Sequence, residues 1–238
     1  MAEQHIVAMG GGGFASGPQG RALDDYVLGL ARAKRPKVCF VPTATGDSDP
    51  YIAQFYSAFN EKDCVPTHLE LFTRTVDDLR TFLLDQDVIH VGGGNTANML
   101  AVWRLHGVDE ILRAAWEAGI VLCGVSAGGL CWFEGGTTDS FGLDLAALRD
   151  GLGFIPGSFS PHYDGEVKRR PAYHEFVKNG SLPDGLAADN GVGLHFVGTE
   201  LAEAVCTHAA ASAYRVALID GEVHETPITP RLLIPNSS

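Results

Sequence analysis

Gly124-Val125-Ser126-Ala127-Gly128 directly follows the apolar run Ile120-Val121-Leu122-Cys123, so a serine sits where a buried strand turns at once into a helix. Such a turn forces its central residue into a strained backbone with the side chain projecting outward, and neighbours larger than Gly or Ala would collide. The hydroxyl of Ser126 is then available for nucleophilic attack, and the Ala127 amide can donate to an oxyanion. Gly92-Gly93-Gly94-Asn95 occupies the same kind of position after another strand. Its bare N–H groups suit a phosphate or a developing oxyanion. The ends of adjacent parallel strands can lie close together, so this turn is expected to face Ser126.

A serine needs an imidazole to take its proton and a third group to hold that imidazole's tautomer. His162, in Ser160-Pro161-His162-Tyr163-Asp164, is the best placed of the nine histidines, because a short apolar strand and a proline precede it and a helix follows. His5, His68 and His195 alternate with apolar residues and read as packing or exposed-face residues of strands. Asp139, Asp164 and Asp189 remain open as the carboxylate. Glu134 is disfavoured, lying one or two helical turns beyond Ser126. Asp189 follows Leu186-Ala187-Ala188 and precedes Asn190-Gly191, a strand end facing a turn.

The elements that must position these residues alternate in the first half of the chain, as repeated βαβ units around a parallel sheet do. Strands are expected at 5–9, 37–41, 67–72, 87–91 and 120–124. Helices are expected at 21–32, 50–62, 76–84, 96–104 and 108–118. Continuous apolar strands suit a sheet buried on both faces, whose carboxyl edge is where ligands bind. Gly10 to Gly13 lies at that edge but lacks the dinucleotide-binding pattern, and reads as a turn giving room to the site. Beyond Gly135 the pattern breaks into short pieces: a helix at 167–178, strand-like runs at 186–188, 192–197 and 214–219, and a hairpin over 213–225 signalled by Asp220-Gly221. The tail from Thr226 reads as an irregular arm.

The 238 residues carry 17 Lys and Arg against 29 Asp and Glu, a formal charge of −12. One α/β domain over 1–238 is the natural size for this composition. The acidic field opposes nucleic acid and anionic lipid. No apolar run reaches the ~20 residues needed to cross a bilayer, and Met1 to Ala8 lacks a basic leader, so a cytoplasmic protein without a membrane partner is expected. Five cysteines without a C-x-x-C spacing read as buried thiols, with neither a disulfide framework nor a metal site.

Taken together, Ile6-Val7-Ala8-Met9-Gly10-Gly11-Gly12, Val91-Gly92-Gly93-Gly94-Asn95-Thr96, the Ser126 turn and Pro161-His162-Tyr163 resemble, in order and over nearly the whole chain, the peptidase E family of serine peptidases, related to cyanophycinase. The resemblance implies a mostly parallel sheet flanked by helices, similar to class I glutamine amidotransferases, here with a C-terminal β-hairpin. It implies Ser126 as nucleophile, His162 as base and Asp189 as third member, with Gly93 or Gly94 joining Ala127 in the oxyanion hole. It also implies a cofactor-free enzyme that cleaves small peptides, typically dipeptides with an amino-terminal aspartate held by an arginine beyond the histidine. Lys168-Arg169-Arg170 offers three cations there. Arg169 and Arg170 are preferred because a planar guanidinium can grip a carboxylate with two hydrogen bonds.

Two other readings follow from the same residues. An α/β-hydrolase-type esterase also uses G-x-S-x-G, but its base comes last in the chain and would be His208 or His224. A small-ligand-binding relative would keep the fold without hydrolysis. A glutamine amidotransferase is disfavoured because Ser, not Cys, occupies the turn. The C-terminal hairpin and arm are expected either to close the pocket or to form a homodimer contact.

Overall fold

The computed structural model describes residues 3–17 and 20–234. In chain order its elements are β1 (His5–Met9), α1 (Arg21–Leu30), β2 (Lys37–Val41), α2 (Asp49–Phe59), β3 (Val65–His68), α3 (Leu79–Leu84), β4 (Val88–Val91), α4 (Thr96–His106), α5 (Val108–Glu117), β5 (Val121–Val125) and α6 (Ala127–Leu130). There follow β6 (Phe133–Thr138), β7 (Ala146–Leu148), β8 (Ile155–Ser160), α7 (Arg169–Lys178), β9 (Gly185–Ala188), β10 (Val192–Val197), β11 (Glu200–Cys206), β12 (Ala213–Ile219), β13 (Glu222–Ile228) and β14 (Arg231–Leu232). No described helix is long and apolar enough to cross a membrane.

The strands form an eight-stranded sheet, in the order β14-β11-β10-β1-β5-β4-β2-β3, and a six-stranded sheet, β13-β12-β9-β8-β6-β7. In the first, β1, β5, β4, β2 and β3 are parallel, as the alternating sequence pattern requires, while β10 and β11 extend it antiparallel beyond β1. Side chains alternate across this sheet. Ile6, Ala8, Val41, Ile89, Val91 and Leu122 face α4 and α5, whereas Val7, Met9, Phe40, Val88, Cys123 and Val125 pack with α1 and α2. The first of these cores continues into Trp132, Phe133, Phe154 and Phe159, and so reaches the second sheet.

Several boundaries differ from expectation. The third strand is Val65–His68 rather than 67–72, because the Asp47 carboxylate takes the Leu71 and Phe72 N–H groups at 2.5 and 2.8 Å and turns the chain there. Asp78 caps α3 by accepting from Thr81 N–H at 3.0 Å, which starts that helix later than 76. In the second sheet, the short strand expected before His162 is β8, while β6 was hidden by glycine. Gly136 is needed because a Cβ there would lie 2.1 Å from the Phe159 carbonyl oxygen, so the two strands approach only where a side chain is missing. The tail is partly regular: Thr226 to Ile228 completes β13 and Arg231–Leu232 pairs with β11, while 235–238 lie outside the described residues.

The C-terminal hairpin β12–β13 pairs with β9 through β12, and one carboxylate ties it further to Tyr163 and α7. Glu225 accepts from Tyr163 Oη at 2.6 Å, from His174 Nε2 at 2.9 Å and from the Arg170 guanidinium. Burial alone would raise the Glu225 carboxyl, but these hydrogen bonds and the Arg170 charge hold it below its ordinary range. A carboxyl depressed in the folded state adds stability above its unfolded pKa of about 4.3, and that contribution disappears as pH falls through the folded value. Thermal melts should therefore show stability falling below about pH 4. Glu225→Gln should lower the melting temperature at pH 7 and flatten this acid decline; an unchanged acid decline would count against the contact.

Candidate active site

The parallel strands β1, β2, β4 and β5 all end at one edge, and the turns that follow them build the site. At the end of β5, Ser126 has φ 55° and ψ −110°, the strained turn expected of it. The turn is held by Ser126 N–H donating to the Met9 carbonyl at 3.0 Å, and by the Ser126 carbonyl accepting from Gly129 and Leu130 N–H at 2.9 and 2.8 Å. The flanking glycines are obligatory. A Cβ on Gly124 would lie 2.3 Å from the Gly128 carbonyl oxygen, and one on Gly128 would lie 2.4 Å from that of Val91.

His162 follows β8, also at positive φ (52°), and its N–H donates to the Gly10 carbonyl at 3.0 Å. Its side chain lines, with Ser126, Gly94, Asn95, Asp139, Glu166 and Arg169, a cavity of about 270 Å³. Ser126 and His162 face this space without a hydrogen bond between them, a contact that hydrolases often tighten only with substrate present.

The partner of His162 is Asn190, not Asp189. His162 Nδ1 lies 2.7 Å from Asn190 Oδ1. Asp189 is buried behind it, its carboxylate accepting Ser212 N–H at 2.9 Å, and burial first of all raises its pKa. Asp189 follows the end of β9 and Asn190 opens the turn into β10, so the Asp189 carboxylate is taken by Ser212 while the Asn190 amide faces the imidazole. Asp164 stands one step further back, with Oδ1 accepting from Asn190 N–H at 2.8 Å and from Nδ2 at 3.1 Å. Asp139 reaches the cavity because the next residue, Ser140, is tied to the start of α4: its carbonyl accepts from Asn95 Nδ2 at 3.0 Å and its Oγ from Ala97 N–H at 3.2 Å.

The two arginines part company. Arg169 lines the cavity but is itself buried, with Nε and Nη2 on Glu166 Oε2 at 2.8 and 2.7 Å and Nη1 on the Thr137 carbonyl at 2.9 Å. Arg170 turns away to Glu225, over the rings of Tyr163 and Tyr214, and does not line the cavity. It ties α7 to the hairpin. At the glycine turn, Gly93 N–H points to Tyr51 Oη at 3.4 Å, while Gly94 N–H and Ala127 N–H have no partner among the described residues. Exposed Phe141, Leu143 and Val167 stand on the loops that rim the cavity, and Lys168 and Asp144 approach to 3.8 Å between those loops.

Neither histidine required by the esterase reading lines the Ser126 cavity. His208 lines a smaller space beyond Asn190, with Gly191 and Thr207, and His224 belongs to β13. All five cysteines are buried, and burial pushes the Cys123 and Cys131 thiols well above their usual range. Among the described residues, no three His, Cys, Asp or Glu side chains are grouped to hold a metal.

This arrangement can generate an alkoxide at the head of a strand and shelter an oxyanion beside it, which is the equipment of an acyl-transfer hydrolase. A family model of the S51 peptidases matches residues 6–204, and the chain belongs to peptidase family S51. It is 50% identical over 230 residues to the uncharacterised peptidase YgaJ of Bacillus subtilis, covering 97% of this chain and 99% of that one. It is 28% identical over 171 residues, 67% of each chain, to peptidase E of Streptomyces coelicolor. A crystal structure of a peptidase from an acI-B1 actinobacterium shares the fold, with a TM-score of 0.71 at 17% identity over 96% of this chain and 95% of that one.

A Cβ on Gly11 would lie 2.0 Å from Asn190 Oδ1 and 3.0 Å from His162 Nδ1. Gly11→Ala should therefore break the contact between these side chains, which a crystal structure or the imidazole ¹⁵N spectrum would reveal. An undisturbed 2.7 Å contact in the variant would show that the backbone there yields.

Proposed function

We propose that this S51 peptidase is a serine peptidase acting on small peptides, with Ser126 as nucleophile, His162 as general base and Asn190 in the orienting position that the resemblance gave to Asp189. The observation that carries the reading is the shared cavity of Ser126, held at φ 55°, and His162, whose Nδ1 is engaged by Asn190. With Nδ1–H donating to Asn190 Oδ1, the lone pair of Nε2 is left for the serine proton. Ser126 Oγ attacks the scissile carbonyl as its proton passes to Nε2, and the oxyanion is received by the N–H groups of Gly94 and Ala127. The imidazolium returns the proton to the leaving amine, and a water repeats the sequence to release the acid. Ser126→Ala should abolish turnover and fluorophosphonate labelling without lowering the melting temperature. Retained peptidase activity would defeat the assignment.

The size of the cavity supports a dipeptide-scale substrate. Its charges do not favour an amino-terminal aspartate. Arg169 is already occupied by Glu166 and Thr137, and Asp139 and Glu166 set two carboxylates against one guanidinium. Placing a third carboxylate among them costs like-charge repulsion on the scale of kcal/mol. Neutral and basic first residues should be cleaved at least about tenfold faster than aspartate, tenfold in rate being about 1.4 kcal/mol. Glu166→Gln frees the Arg169 fork and should raise the relative rate on aspartyl dipeptides; hydrolysis rates across dipeptides of differing first residue check both. Fastest cleavage of aspartyl dipeptides by the unmodified chain would restore the original substrate expectation.

A further inference from the structure

Asn190 presents an amide to His162, and an amide has two faces of nearly equal shape but opposite chemistry. With Oδ1 toward the imidazole it accepts from Nδ1–H and leaves Nε2 free to act as a base. Flipped, it would present Nδ2–H, select the opposite tautomer and remove the base from the side of Ser126. Something must hold it one way.

The neighbours of Asn190 supply that hold. Asp164 Oδ1 accepts both Nδ2 of Asn190 at 3.1 Å and its backbone N–H at 2.8 Å. A carboxylate can only accept, so it dictates which end of the amide faces it. The space around the amide is closed as well: a Cβ on Gly11 would meet Oδ1 at 2.0 Å, and one on Gly165 would meet Nδ2 at 2.4 Å. The side chain is thus clamped between two glycines, and the remaining freedom, the flip, is decided by the charge behind it.

We propose that Asp164 is a positioning residue for the peptidase reaction: it fixes the orientation of the Asn190 amide and, through it, the tautomer of His162. The inference rests on the assignment of Ser126 and His162 made above. Asp164 does not line the cavity that Ser126 and His162 share. The formal negative charge that other triads place directly on the imidazole stands here one amide away, where it polarises the amide through its N–H.

The test is a four-way exchange of carboxylate and amide at positions 164 and 190, read by the rate of fluorophosphonate labelling of Ser126 and by the ¹⁵N spectrum of His162. Asp164→Asn removes the acceptor-only constraint, and Asn190→Asp sets two carboxylates against each other. Each single variant should label about tenfold slower or more, with loss of a single Nδ1–H tautomer. The double variant Asp164→Asn/Asn190→Asp restores one carboxylate and one amide in contact, and should recover to within about threefold of the unmodified protein. If Asp164 served only to anchor the loop, the two losses would add and the double variant would be the slowest. That outcome, or an Asp164→Asn variant indistinguishable from the unmodified chain in rate and spectrum, overturns the proposal. Failure of the unmodified protein to label at Ser126 would instead strike at the serine peptidase reading. The tautomer of His162, uniform in the unmodified protein and mixed in Asp164→Asn, still decides the role of Asp164 in that case.

Discussion

Two consecutive carbonyls at the end of β1 hold the site together. Met9 accepts the Ser126 N–H and Gly10 accepts the His162 N–H, each at 3.0 Å. The next residue, Gly11, accepts Gly191 N–H at 2.9 Å, beside Asn190. Three segments far apart in sequence are therefore registered against three neighbouring residues of one strand end. Both Ser126 and His162 sit at positive φ, 55° and 52°, conformations costing of order 1–3 kcal/mol each that survive only where surrounding bonds enforce them. The run at 10–13 does more than make room. Its Gly10 and Gly11 carbonyls continue the frame begun at Met9, on which Ser126, His162 and the turn beside Asn190 are mounted.

The close approach of backbones follows from the same frame. Gly10 abuts the Ala188 carbonyl oxygen, Gly94 that of Ala44 and Gly128 that of Val91, each at a distance no side chain could share. This is why glycine gathers at the carboxyl ends of β1, β4 and β5. The second sheet completes the arrangement from outside: β8 delivers His162, β9 delivers Asn190, and the hairpin braces α7 through Glu225 and Arg170. Arg169, four residues beyond Gly165 on the same stretch of chain, is drawn inward to Thr137 of β6.

Most of the frame was legible in the sequence, because buried parallel strands and strand-to-helix turns are local patterns. The Ser126 turn and the parallel order of β1 through β5 needed only apolar runs and small residues. In the second sheet β9, the β12–β13 hairpin and the short strand before His162 were legible, but β6 and β7 were not, since Phe133-Glu134-Gly135-Gly136-Thr137-Thr138 pairs its strands through missing side chains rather than β-formers. Asn190 was missed for a geometric reason. It stands beside Asp189 at a strand end, and which of two neighbours faces the imidazole depends on register against Gly11 and Ser212, which one chain segment does not disclose. The departure of Arg170 from the cavity likewise turns on Glu225, more than fifty residues away.

The glycine walls carry an implication for how such an enzyme can diversify. At Gly10, Gly11, Gly94, Gly124 and Gly128 the smallest added carbon would strike a carbonyl or the Asn190 amide, so this half of the pocket is closed to mutational exploration. The opposite bank is more open: Asp139 and Glu166 line the cavity from loops, and Phe141, Leu143 and Val167 on the same loops are exposed. The close-packed strand ends and the loops facing them across the cavity thereby lie on separate stretches of chain, and a larger side chain is accommodated far more readily on the second.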